Sequence, residues 1–165
     1  MTDTAEIELP LADAAATDRL GRALAARLGA GTAVLLSGPV GVGKTHLARA
    51  LIRAAQASAG RAPEDVPSPT YTLVQCYEAG MLEIWHADLY RLSTPDEVFE
   101  LGLADAFERA LVLVEWPDRL GRERPEASVE IALRPTADGA ARTALIRTPP
   151  DLAPVVEGLA GAEAA

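Results

Sequence analysis

The eight residues Gly38-Pro39-Val40-Gly41-Val42-Gly43-Lys44-Thr45 fit the spacing G-x-x-x-x-G-K-(S/T), which can hold a polyphosphate. A loop of this kind wraps an anion with backbone NH groups, and its glycines permit the conformations and the close approach that this requires. Lys44 would then reach the β and γ phosphates and Thr45 would offer its hydroxyl to Mg²⁺. The helix that opens beyond them would add its positive end. Lys44 is the only lysine of the chain, every other Lys or Arg being arginine, so a sequence poor in lysine spends its single copy here. That lysine also bears on the nucleotide. A guanine-reading (N/T)-K-x-D segment needs a second lysine downstream, and the chain has none, nor any asparagine. ATP is therefore expected, not GTP.

Mg²⁺ beside such a loop needs a carboxylate delivered by the end of a neighbouring strand, and two positions qualify. Glu115 follows the apolar run Leu111 to Val114, and Asp88 ends the run Leu82 to Ala87. Glu115 reads as a metal-site acid or as a solvated strand-end acid. Asp88 reads equally as a metal contact or as an ion pair with Arg91. Ser68-Pro69-Thr70-Tyr71 lies where a γ-phosphate sensor could sit, with Thr70 as the donor, although a capped turn around Pro69 explains the same residues. Trp116 reads as a core or lid residue, and His86 as a packed or bridging histidine. Arg134 and Arg142 are candidates to wall the base.

These side chains must be positioned by regular elements. Leu20, Ala23, Leu24 and Leu28 recur at helical spacing, predicting a helix over 13–29 stopped by glycines. Ala33 to Ser37 has the length of a buried strand and runs into the glycine loop, and a second helix follows over 44–58. Strands are expected over 70–77 and 82–87 around a turn at Glu78-Ala79-Gly80. A short helix begins at Pro95 with Thr94 as its cap. Leu111 to Val114 forms a buried strand, and 129–133 with 141–147 a closing hairpin around Asp138-Gly139. The expected class is α/β: a single-domain P-loop NTPase fold over 1–148, with a mostly parallel central sheet, helices on both faces and a C-terminal hairpin. An Ala-, Gly- and Pro-rich tail over 149–165 is free to fray.

The whole chain narrows the class further. Its 165 residues suffice for one domain, 49% are hydrophobic, and aromatics are few. A formal charge of −9, from 24 acidic against 15 basic side chains, disfavours direct binding of a nucleic acid. Cys76 is the only cysteine, which excludes an internal disulfide and fits a reducing compartment. No basic leader opens the sequence, and no apolar run approaches the roughly 18 residues of a membrane span. A cytoplasmic protein is expected.

Taken together, the segments GPVGVGKT (38–45), SPTYTLV (68–74), HADLYRL (86–92), PDEVFELGL (95–103) and LVEWPDRL (113–120) resemble the bacterial TsaE (YjeE) family, the ATPase component of tRNA threonylcarbamoyladenosine biosynthesis. The resemblance implies ATP and Mg²⁺ as ligands and the TsaB and TsaD proteins as partners, with tRNA met indirectly through that complex. It also implies that Thr45 and Glu115 hold the metal, that Asp88 is a second essential acid near it, and that Thr70, with Ser68 and Tyr71, belongs to a switch loop. Lys44 would act with Glu115 and Asp88 in hydrolysis, and Trp116 would neighbour the site. Nucleotide contacts would come from Gly38, Val40, Gly41, Val42, Gly43, Lys44, Thr45, His46 and Thr70. The loop departs from the family's usual GDLGAGKTT where Pro39 and Val40 replace Asp and Leu, and where His46 replaces the second Thr. Pro39 lacks an NH and is expected to face away from phosphate. The competing readings are a small-metabolite P-loop kinase, whose lid would draw on Arg119, Arg122 and Arg124, and a nucleotide-dependent regulatory binding module.

Overall fold

In chain order the elements are β1 (Ala5–Leu11), α1 (Ala14–Ala25), β2 (Ala33–Ser37), α2 (Lys44–Ser58), β3 (Val74–Ala79), β4 (Leu82–Asp88), α3 (Pro95–Glu100), α4 (Leu103–Arg109), β5 (Leu111–Glu115), β6 (Ser128–Pro135), β7 (Arg142–Thr148) and α5 (Ala153–Ala164). They belong to a computed structural model that describes residues 4–125 and 128–164, with side chains through residue 160. The strands form one sheet in the order β1-β7-β6-β2-β5-β4-β3.

The sheet is mixed, which corrects the expectation of a mostly parallel one. β6, β2, β5 and β4 run parallel at its centre, while β3, β7 and β1 each pair antiparallel with a neighbour. The cause is connection length. β3 and β4 are joined across Gly80 and Met81, and β6 and β7 across a short turn, and links this short can only reverse the chain. β1 then adds to the edge beside β7. It carries Pro10, which an edge strand tolerates because one side of its backbone needs no partner.

β2 is apolar on both faces because both are covered. Val34 and Leu36 join a core cluster with Leu20 and Leu24 of α1, Leu47 and Leu51 of α2, and Val156 of α5. Ala33 and Leu35 join the opposite cluster with Val98 of α3 and Leu103 and Ala106 of α4. The period of two along a strand therefore sorts the functional side chains as well. Ile84 and Leu113 belong to the α1–α2 side, so His86, Asp88 and Glu115, an even number of residues further along the same strands, face that side too.

Local signals fix several boundaries. Asp13 caps α1 by accepting from the Ala16 N–H at 2.9 Å. Thr94 caps α3 in the same way. The segment expected to begin a strand at Thr70 is instead a turn: Leu73 takes a left-handed φ of 69° and its N–H bonds the Pro69 carbonyl at 2.7 Å, so β3 starts at Val74. Past Pro149 the chain makes a 3-10 turn and then α5, with Leu152, Ala153 and Val156 buried. No helix among the described residues is long and apolar enough to cross a membrane.

Candidate functional site

β2 ends at Ser37 in the middle of the sheet, and the glycine loop carries the chain from there into α2. Gly41 and Gly43 have φ of +80° and +115°, and a Cβ on either would meet nothing within 4 Å. Conformation demands these glycines, and the space above their backbone is open. Gly43 precedes α2 without a side-chain cap, so the first NH groups of that helix have no capping side chain.

Gly38 is different. A Cβ there would sit 2.5 Å from the Leu133 carbonyl oxygen and 2.9 Å from Val42 Cγ1, at a φ of +141°. Gly38→Ala is expected to destabilise the fold by about 2 kcal/mol or more, from strain and overpacking together. Gly29→Ala, where nothing lies within 4 Å, should stay within about 0.5 kcal/mol of the parent. Urea denaturation of the two variants checks the contrast.

The register of the parallel strands brings the two candidate acids together. Asp88 is the Cα partner of Glu115 across β4 and β5, and Leu36 of β2 lies against Glu115 on its other side. Both acids are buried, at 5% and 2% exposure. Thr45 Oγ1, at the start of α2, donates toward Glu115 and lies 3.0 Å from each carboxylate oxygen. Asp88 Oδ1 accepts from the Tyr90 N–H at 3.0 Å, and Thr70 Oγ1 reaches Asp88 Oδ2 at 3.4 Å. Ser68 Oγ is 2.7 Å from Thr70 Oγ1. Asp88 is thus held by the backbone just past β4 and by Thr70 of the loop before β3, and the sequence alternative of an ion pair with Arg91 is not what the structure forms: Arg91 instead lies over the Tyr71 ring, 5.3 Å from its centroid.

Lys44 is buried. Its Nζ donates to the Gly38 carbonyl at 2.5 Å and the Pro39 carbonyl at 3.0 Å, and lies 4.1 Å from the centre of the Trp116 ring. Burial pushes its pKa below the ordinary lysine value, against the opposing pull of Glu115 and Asp88. Trp116 follows Glu115 in a left-handed conformation, φ 61°, which a non-glycine residue adopts only under constraint. Its N–H bonds the Leu36 carbonyl, and its ring rests against Lys44 on one side and Tyr90 on another.

These groups surround one cavity of about 410 Å³, lined by Val40, Gly41, Gly43, Lys44, Thr45, His46, Ser68, Thr70, Asp88, Tyr90, Glu115 and Trp116. Of the residues singled out in the sequence, Gly38, Val42 and Tyr71 are not in that lining. Val42 turns its side chain into the core and its carbonyl accepts from Arg142 Nε at 3.0 Å. Tyr71 stands 84% exposed. Pro39 is likewise outside the lining, with its carbonyl facing Lys44. His46 lines the cavity, and its Nε2 is engaged by Asp18 Oδ1 of α1 at 2.8 Å. A second cavity of about 330 Å³ shares Gly41, Gly43 and His46 with the first and extends to Leu11, Thr17 and Arg142. Arg134 does not line it.

His86, read from the sequence only as a packed or bridging histidine, proves to be both. It is fully buried, and its Nε2 lies 2.7 Å from Glu115 Oε2. The available signal was its place two residues before Asp88 on the same face of a strand.

The donor set suits a small hard cation. Thr45, Glu115 and Asp88 offer only oxygen, and among the described residues no three His, Cys, Asp or Glu side chains gather into a cage of their own. That is the pattern expected for Mg²⁺, which keeps waters and phosphate oxygens and takes one or two carboxylates from the protein.

The profile of the family described as "Threonylcarbamoyl adenosine biosynthesis protein TsaE" matches residues 11–144, a span that holds every element around the cavity. The chain belongs to the TsaE family. Within that family it is 36% identical over 118 residues to the tRNA threonylcarbamoyladenosine biosynthesis protein TsaE of Rickettsia bellii (strain RML369-C), covering 72% of this chain and 79% of that one. It is 34% identical over 124 residues to the Treponema pallidum (strain Nichols) protein of the same name, covering 74% and 87%. With that of Rickettsia conorii (strain ATCC VR-613 / Malish 7) it shares 38% identity over 102 residues, 62% of this chain and 56% of the other. The crystal structure of Bacillus subtilus YdiB has the same fold, with a TM-score of 0.72 at 20% identity over 99% of both chains. The matched span includes the segments that build the cavity: the loop at 38–45, the turn at 68–73, the end of β4 and the end of β5.

Proposed function

We propose that this TsaE-family chain is the ATP-binding and ATP-hydrolysing component of tRNA threonylcarbamoyladenosine biosynthesis, a P-loop NTPase working with Mg²⁺ and with the TsaB and TsaD proteins in the cytoplasm. The observation that carries the reading is the convergence of Lys44, Thr45, Glu115, Asp88 and Thr70 on one cavity beside the uncapped start of α2. Thr45 Oγ1 and the Glu115 carboxylate would hold Mg²⁺, which when bound supplies charge neutralisation between the β and γ phosphates.

The chain's own residues account for the rest. Backbone NH groups from Gly41 to Thr45 bind the phosphates. Lys44 exchanges the Gly38 and Pro39 carbonyls for phosphate oxygens. Asp88, adjacent to Glu115 and fixed by the Tyr90 N–H, accepts a proton or hydrogen bond from the attacking water. Thr70 moves from Asp88 to the γ phosphate, so that the 68–71 loop is ordered while ATP is present and released after hydrolysis. The nucleoside end extends past Gly43 and His46 into the second cavity, against Arg142. Turnover then resets a complex in which the partners hold the tRNA, in keeping with the charge of −9 on this chain.

A metabolite kinase would need arginines over the transferred phosphoryl group. Arg119 donates to the Leu92 carbonyl, Arg124 pairs with Glu130, and none of Arg119, Arg122 and Arg124 lines the cavity. Removing the protein from its cell should abolish threonylcarbamoyladenosine in bulk tRNA, read by nucleoside mass spectrometry. Unchanged levels would overturn the reading.

A further inference from the structure

His86 is costly where it stands. Its ring is fully buried in β4, and Nδ1 meets no hydrogen-bond partner among the described residues. A buried polar atom left unsatisfied costs about 1–3 kcal/mol. Ile84, two residues earlier on the same face, is what core packing alone would place there. The compensation is on the other side of the ring. Nε2 lies 2.7 Å from Glu115 Oε2, and because a carboxylate only accepts, the ring proton sits on Nε2 and is donated to Glu115.

That bond makes the two oxygens of Glu115 unequal. Thr45 Oγ1 is 3.0 Å from each, whereas His86 engages Oε2 alone. Oε2 is held from within the sheet, and Oε1 is left to the cavity that Thr45 lines. Mg²⁺ requires near-octahedral geometry at about 2.0–2.1 Å and draws one oxygen from each carboxylate, whereas Ca²⁺ accepts six to eight oxygens and readily takes both oxygens of one carboxylate. An oxygen already occupied by an imidazole N–H is poorly placed to serve as the second arm. Side chains that orient metal ligands in this way are typically worth 10–100-fold in metal affinity.

We propose that His86 is a positioning residue that fixes Glu115 as a one-oxygen ligand and thereby makes the nucleotide site prefer Mg²⁺ over Ca²⁺. The inference rests on the metal–nucleotide reading above and extends it to the choice of cation.

The test measures binding, not turnover. Calorimetry on the whole protein with a non-hydrolysable ATP analogue is run in Mg²⁺, in Ca²⁺ and in EDTA, with thermal unfolding alongside, for the parent, His86→Leu and His86→Gln. The parent should bind more tightly with Mg²⁺ than with Ca²⁺. His86→Leu should lose roughly 10–100-fold of the Mg²⁺-dependent tightening. It should leave binding in EDTA unchanged and bring the Mg²⁺-to-Ca²⁺ ratio toward one. His86→Gln, whose amide nitrogen stands near the place of the ring Nε2, should restore most of the preference. If His86→Leu does not fold, the comparison is His86→Gln with His86→Asn, whose amide falls short of Glu115. The glutamine must keep the Mg²⁺ preference and the asparagine lose it.

An unchanged ratio in a folded His86→Leu, or an equal loss in all three conditions, overturns the inference while leaving the nucleotide site intact. A parent that binds no better with Mg²⁺ than in EDTA overturns the metal reading itself.

Discussion

Lys44→Ala should weaken binding of a non-hydrolysable ATP analogue by roughly 100-fold, since it removes two charge-assisted hydrogen bonds to phosphate at about 1.5 kcal/mol each. The structure makes this prediction more specific than the motif does. In the site as it stands, the Lys44 ammonium is satisfied by the Gly38 and Pro39 carbonyls and by the Trp116 ring. Binding must therefore replace those contacts with better ones, which phosphate oxygens provide and a neutral ligand does not. Burial already works against the charge on this lysine. Losing it should consequently leave the protein folded, with a melting transition close to the parent's, so that weaker binding cannot be blamed on unfolding. Calorimetry and a thermal melt on the same sample check both halves. Parent-like affinity in Lys44→Ala would remove the loop from the phosphate site.

Glu115→Ala should separate binding from turnover. The phosphate contacts come from the loop backbone and Lys44, so ATP should still bind, with the metal-free affinity kept and the Mg²⁺-dependent tightening lost, while hydrolysis at saturating ATP with TsaB and TsaD present should fall by about 10²–10³-fold because charge stabilisation at the metal is lost. Glu115 also accepts from Thr45 and His86, and the alanine leaves the His86 Nε2–H buried with no acceptor, at about 1–3 kcal/mol. Glu115→Gln is the companion variant: it keeps the shape and an oxygen for His86 while removing the charge. If turnover is lost in both, charge is the cause. A Glu115→Ala protein that hydrolyses ATP normally with its partners would overturn the assignment of this acid.

The two variants act in one cavity, and their contrast also discriminates against a module that works by occupancy alone. Such a module would depend on Lys44 and be indifferent to Glu115 once ATP is bound. The complex would then modify tRNA equally well with either Glu115 variant.

What could be read from the sequence follows the range of the forces involved. The glycine loop between β2 and α2 was legible because its requirements are local: positive φ at Gly41 and Gly43, a lysine and a hydroxyl at fixed offsets, and a helix start. So were the Thr94–Pro95 cap, the hairpin of β6 and β7, and the strand Leu111–Glu115, each written in a few adjacent residues. The family resemblance drew on the same short segments, and it named the acids before any contact between them was visible.

The tertiary structure alone decided what depends on distant pairing. β1 escaped notice although Ile7, Leu9 and Leu11 alternate with Glu6, Glu8 and Pro10, because a proline reads as a strand breaker and the partner β7 lies at the other end of the chain. Both hairpins were legible, but no local pattern names where each joins the parallel centre, β4 beside β5 and β6 beside β2, or that β1 extends the far edge. Asp88 and Glu115 became a pair only through the register of β4 on β5, and His86 acquired a role only because the period of two places it behind Glu115. Backbone conformation and helix capping are settled within a turn of chain, so sequence spacing records them. Which buried oxygen meets which donor is settled by strand register and side-chain parity across the sheet, and only the packed core fixes those.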